Sequence, residues 1–207
     1  MKVIPFSSMS IAPQINNIYR ALGYLTEKTV VKDVLQKDLN QYIEEAREVI
    51  ELKGAAVRVS VRQITEDKIF LEDDVVFKSV ALAKFLKGST QVLLFGATAG
   101  QPIMDFIVKK TEEKDLTRAV VYSAVAGEMV DAALAWIGQY IHQQLLRESF
   151  SLDARRFSAG YGDFGIEDQK VFWELLKLKD IGVFITNQYF LIPEKSVTAI
   201  SGIRSLR

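Results

Sequence analysis

The residues best suited to chemistry in this chain sit together in one turn, Arg156-Phe157-Ser158-Ala159-Gly160-Tyr161. A guanidinium holds a carboxylate through two coplanar hydrogen bonds. A glycine lets backbone and ligand approach closely. An aromatic face suits both a flat base and a sulfonium cation. Those are the needs of an amino-acid-plus-adenosine ligand. Taken alone, the turn also reads as packed aromatics beside a surface arginine, and a motif without its context is weak.

Other chemistries find little support. The chain has no cysteine, which removes disulfides, thiolate metal sites and thiol nucleophiles. Its single histidine, His142, removes any multi-histidine metal site, and no nucleophile motif accompanies it. Glu72-Asp73-Asp74 and Glu112-Glu113 lie in polar surroundings and read as solvated charges, not as an acid–base dyad. Gly96-Ala97-Thr98-Ala99-Gly100 turns a strand into a helix but matches neither the dinucleotide fingerprint nor the Walker loop. It reads as a tight turn of small residues. Lysine plus arginine (26) balances aspartate plus glutamate (26), so no nucleic-acid partner is expected. No signal peptide and no bilayer-spanning run is read, which makes a cytoplasmic protein without a membrane partner the expectation.

The elements that must position the turn follow from periodicity. Ile15, Ile18, Tyr19 and Leu22 recur at helical spacing within Ser10–Tyr24. A longer helix is predicted from a cap at Asp33 to Lys53, with Gly54 as its stop and Leu35, Leu39, Tyr42, Ile43, Ala46, Val49 and Ile50 inward. Val57, Val59 and Val61 then alternate with Arg58, Ser60 and Arg62 as in a half-buried antiparallel strand. Lys68–Leu71 is a second short strand. Ser79 caps a helix to Leu86, and Val92-Leu93-Leu94-Phe95 suits a central strand. Asp115 caps a helical region reaching about Glu148, whose continuity Gly127 and Gly138 leave open. Glu167–Lys177 is an amphipathic helix, and Val183–Thr186 and Val197–Gly202 are strands. Strand and helix signals mix throughout residues 1–207, which points to a single α+β domain.

The wider context adds a resemblance. Ala83-Lys84-Phe85-Leu86-Lys87-Gly88, Val92 to Gly100, Ala119-Val120-Val121 and the small-residue helix around Asp131 come in order. They precede Arg156 to Asp163 and the tail Ile192-Pro193-Glu194-Lys195-Ser196-Val197-Thr198-Ala199. This series resembles the short, stand-alone members of the activation-domain family of cobalamin-dependent methionine synthase. The resemblance implies an α+β fold with a curved, largely antiparallel sheet and flanking helices. It also implies the role of an activation subunit, which binds S-adenosylmethionine and supports reductive methylation of cob(II)alamin. The cobalamin would be carried by a partner methionine synthase chain, with an electron from a flavodoxin-type donor.

By the motif match, Arg156 would pair with the methionine carboxylate, and Ser158, Gly160 and Tyr161 would form the loop wall. Asp131 falls where the family places a helix acid near the ligand. Glu148 matches a second acid if two residues are inserted before Arg156. No metal site and no protein side chain acting as a catalyst is implied, because reduced cobalt is itself the nucleophile and the sulfonium is already activated. Val3-Ile4-Pro5-Phe6 stands where the full-length domain carries an acid-containing Asp-Trp-x-Pro-Phe segment, and the family's later segment does not follow the last strand before Arg207. Two other readings are therefore carried: a docking module without a ligand, and an activator of another corrinoid methyltransferase.

Overall fold

A computed structural model describes residues 1–24 and 33–206, with residues 33–35 described through their backbone alone. The expected cap at Asp33 and the inward Leu35 lie outside the described side chains.

The apolar run at Val92–Phe95 becomes strand β5 (Gln91–Thr98) at the centre of an antiparallel sheet. Its neighbours are β2 (Lys53–Ile64) and β9 (Ser196–Ser205). The registers run from Lys53 opposite Thr98 to Ser60 opposite Gln91, and from Gln91 opposite Ile203 to Thr98 opposite Ser196. Shorter strands complete the sheet. β1 (Val3–Phe6) and β3 (Lys68–Leu71) pair with the two halves of β2, β4 (Val76–Lys78) pairs with β3, and β6 (Phe150–Leu152) pairs with β9. The sheet curls, and a register shift lies between Val61 and Gln63.

Both faces of the central strands are covered, which is why β5 reads as continuously apolar rather than alternating. On one face Leu93, Phe95 and Ala97 pack with Ala199 and Ile203 under helix α5 (Leu116–Arg147), joined by α1 (Ile15–Ala21), α2 (Asp33–Val49) and α4 (Gln101–Glu112). On the other face Val57, Val59, Val92, Leu94 and Ile200 meet α3 (Val80–Leu86) and α6 (Gln169–Leu175). Helix α5 is unbroken through Gly127 and Gly138, and its cap is Asp115, whose carboxylate accepts the Arg118 amide. By length and composition α5 could cross a bilayer, contrary to the sequence expectation; half of its most apolar window is buried inside the fold.

Several expected boundaries shift for physical reasons. Helix α2 stops at Val49, not Lys53, because the chain turns there toward β2, which begins at Lys53; on the way Glu51 donates to the Ala99 carbonyl, and the Leu52 carbonyl accepts the Met9 amide. Gly54 is a strand residue. A Cβ there would stand 2.5 Å from the Ile137 side chain and 2.8 Å from the Gly96 carbonyl, so glycine lets α5 approach the sheet. Helix α1 begins at Ile15, not Ser10, because Pro13 biases the residue before it away from helix. The strand signal at Gln91 runs on to Thr98, and Gly100, at φ +85°, makes the turn into α4. Helix α6 is shorter than expected, with a 3-10 turn over Ile166–Asp168 in front of it. Val183–Thr186 supplies only β7 (Phe184–Ile185), which forms a hairpin with β8 (Leu191–Ile192).

Candidate functional site

The Arg156 turn is laid against β9 by its own backbone. Phe157 and Ile200 exchange both amide–carbonyl hydrogen bonds, at 2.9 and 2.8 Å. Ser201 donates its hydroxyl to the Arg155 carbonyl, and Ser158 donates its hydroxyl to the Thr198 carbonyl at 2.7 Å. After Ser158 the chain doubles back through Gly160 (φ +89°) and Gly162 (φ +60°), conformations open to glycine. The Gly160 amide donates to the Phe164 carbonyl, and the buried Phe164 ring anchors the return against Phe77 and Phe172. Asp163 ties the far end down. Its carboxylate accepts the Ser79 hydroxyl at 2.6 Å and the amides of Val80 and Ala81 at the start of α3. The Ser79 hydroxyl and those amides hold the Asp163 carboxyl below the usual range.

The adjacent arginines are directed to different partners. Arg155 pairs with Asp153 and lies over the Phe85 ring. Arg156 places Nη2 2.7 Å from Oδ1 of Asp131 on α5. That is its one ion pair among the described residues, and its side chain is only 34% exposed.

Arg156 and Asp131 stand at the edge of a cavity of about 670 Å3. One wall is the turn itself, through Phe157, Ser158, Ala159 and Tyr161; the floor is β9, through Ser196, Val197 and Thr198. A third side comes from the β7–β8 hairpin, where Tyr189, Phe190 and Leu191 face the space with Glu194 beyond them. The hairpin tip is held by Thr186, whose amide donates to the Phe190 carbonyl and whose hydroxyl accepts the Phe190 amide. Gln169, nearly buried at the head of α6, shares two hydrogen bonds with the Thr198 hydroxyl, at 2.8 and 3.1 Å. The cavity thus offers one guanidinium, two carboxylates, four aromatic rings and backbone edges. Glu194 lies 3.7 Å from Lys195, a loose pair that leaves it 78% exposed.

Of the residues singled out in the sequence, Arg156, Ser158, Tyr161 and Asp131 border one space, with Gly160 inside the turn that bounds it. Glu148 is placed elsewhere. It follows α5 and pairs with Arg58 at 2.7 Å on the sheet, outside the cavity's lining. Ser149–Leu152 is drawn into pairing with the end of β9, and Glu148 stays beside Arg58. Gln169, Tyr189 and Glu194 are not legible in the sequence as site residues. Each arrives through tertiary packing, and the only local hint is an aromatic run at Tyr189-Phe190 between short strand signals.

His142 has a structural partner: its Nδ1 accepts the Leu152 amide at 3.1 Å and pins β6 to α5. The Gly96–Gly100 segment lines none of the space around Arg156 and serves close packing; a Cβ at Gly96 would meet the Val197 carbonyl at 3.1 Å.

No family model and no curated protein matches the sequence. Among solved structures, the crystal structure of the MetH reactivation domain bound to AdoHcy superposes with a TM-score of 0.69. The match covers 98% of this chain and 78% of that one, at 14% sequence identity.

Proposed function

We infer the function of this chain from its fold, which is that of the methionine synthase reactivation domain. From that premise we propose that it binds S-adenosylmethionine and acts as an activation module for a cobalamin-carrying methionine synthase chain, with a flavodoxin-type protein as electron donor. The observation that carries the reading is the Arg156–Asp131 pair at the edge of the 670 Å3 cavity. A guanidinium beside a carboxylate is complementary to the zwitterionic head of an amino acid: Arg156 takes the carboxylate and Asp131 the ammonium. The internal ion pair is exchanged for two external ones.

The remaining lining fits the rest of the ligand. Aromatic faces at Tyr161, Tyr189 and Phe190 suit an adenine ring and a sulfonium. Two carboxylates against one guanidinium give the lining a formal charge of −1, the complement of a ligand whose net charge is +1. The volume lies within the usual range for small-molecule sites, about 300–1,000 Å3. Bound there, S-adenosylmethionine supplies an activated methyl group. The chain's own residues hold the amino-acid head, orient the sulfonium between aromatic walls and keep water from it. None has to move a proton, which accords with a site without histidine or cysteine.

Calorimetric titration tests this. Wild-type protein takes up S-adenosylmethionine, and Arg156→Ala weakens binding by about 1.5–3 kcal/mol, the scale of a charged hydrogen bond. Absence of binding, with or without a corrinoid partner protein, overturns the proposal.

A further inference from the structure

Arg156 also borders a second cavity, which the proposed function leaves unused. It is a slot of about 320 Å3 between α5 and the edge where β6 meets β9. Phe95 and Leu134, both buried in the core, face it, with Gly138 and Leu152 beside them. Two charged side chains reach its wall, Asp153 and Arg156. Asp153 is already committed: Arg155 bonds both of its oxygens and Arg204 lies 3.8 Å away. Those hydrogen bonds, chiefly from Arg155, hold its carboxyl below the usual range. Arg156 is engaged through Nη2 alone, by Asp131. His142 stands in the same wall, where its Nδ1 accepts the Leu152 amide.

An apolar slot with one under-used cation at its rim matches an apolar chain that ends in a carboxylate. We propose that this slot is a second binding site, for a small carboxylic acid with an unbranched apolar tail. The carboxylate meets Arg156, and the tail lies along Phe95, Leu134 and Leu152. Gly138 keeps the slot open. A Cβ at Gly138 would stand 3.7 Å from the Phe95 ring and 3.8 Å from Leu152, ordinary contacts, so alanine fits while the methyls of valine fill the space. Because Arg156 also borders the main cavity, the slot ligand and S-adenosylmethionine exclude one another. That competition rests on the proposed function; the slot itself does not.

Hexanoate is the probe, hexanol its uncharged control, and amide chemical shifts of 15N-labelled protein the readout. Hexanoate produces saturable shifts centred on Gly138, Leu152 and Arg156, and hexanol binds at least about tenfold more weakly. Gly138→Val abolishes the hexanoate shifts, keeps the wild-type melting curve and keeps S-adenosylmethionine binding. Arg156→Gln, which leaves the slot's shape intact, loses hexanoate as well and serves where the valine variant unfolds. Absence of saturable shifts, equal binding of hexanol, or retention of hexanoate by folded Gly138→Val overturns the site. Hexanoate binding that leaves S-adenosylmethionine affinity unchanged overturns the competition. Absence of S-adenosylmethionine binding in protein that takes hexanoate overturns the proposed function and upholds the slot.

Discussion

Helix α5 carries two carboxylate–guanidinium arrangements, near its first turn and at its middle, and they are built in opposite ways. At the first, Arg118 bonds Glu45 at 3.1 Å and Asp115 at 2.7 Å, and its plane lies 4.3 Å from the Tyr42 ring centroid. Glu45 also accepts the Tyr122 hydroxyl and the Gln41 amide. Burial alone would raise the Glu45 carboxyl, but the hydrogen bonds from Tyr122, Gln41 and Arg118 outweigh it and hold the group below the usual range. The hydrogen bond to Asp115 leads the causes that raise the Arg118 guanidinium further above its ordinary value. Every partner is supplied by the chain, and the cluster joins α2 to α5. At the second, Arg156 has a single bond to an Asp131 that is 58% exposed, beside open space. A saturated pair holds helices together; an unsaturated pair at a cavity has bonding capacity left for a ligand.

The contrast can be broken by exchanging the losses. Arg156→Ala removes about 1.5–3 kcal/mol of binding energy and leaves the melting temperature close to wild type. Glu45→Ala does the reverse: it strands the buried Tyr122 hydroxyl and costs about 1–2 kcal/mol of unfolding free energy, with S-adenosylmethionine affinity unchanged. Denaturant unfolding and calorimetry on both variants check this, and a destabilised Arg156→Ala with intact binding would erase the distinction.

Asp163→Ala loosens the turn without touching the cavity lining. Three hydrogen bonds to the start of α3 are lost, so the turn is less well held before ligand arrives. S-adenosylmethionine affinity falls by less than about tenfold, a smaller loss than at Arg156. An affinity equal to wild type would show that the tether does not serve the site.

The smallest effect concerns Asp168, a carboxyl beside the site that lacks the partners Glu45 enjoys. Burial, helped by the neighbouring Glu167 charge, pushes it up to about 6. A folded-state value above the unfolded one means that its stabilising contribution is complete below about pH 4 and is lost as pH rises through about 6. Asp168→Asn therefore raises the melting temperature by about 1–3 °C at pH 7.5, and this gain shrinks toward zero at pH 4. A shift of equal size at both pH values would contradict the assignment.

The sequence disclosed those parts that local patterning controls. The apolar run at Val92–Phe95, the caps at Ser79 and Asp115, and the Arg156–Tyr161 turn with its left-handed Gly160 are all written in neighbouring residues. What stayed hidden is set by distant partners. Strand β6 has three residues and exists because β9 offers them an edge. Gln169 reads as a surface residue until Thr198 takes both ends of its amide. The hairpin that brings Tyr189 and Phe190 to the cavity consists of two-residue strands, too short for periodicity to mark. Glu148 escapes a local reading for the same reason: its pairing with Arg58 crosses ninety residues.

The structure of the complex with S-adenosylmethionine decides whether Arg156 and Asp131 hold an amino-acid head. The ligand is expected in the cavity bounded by the Arg156 turn, β9 and the β7–β8 hairpin. Its carboxylate lies on the Arg156 guanidinium, and its ammonium takes the place Arg156 held at Asp131. A ligand bound away from Arg156, or in place with the Arg156–Asp131 pair intact and no contact to the amino-acid head, would contradict that expectation.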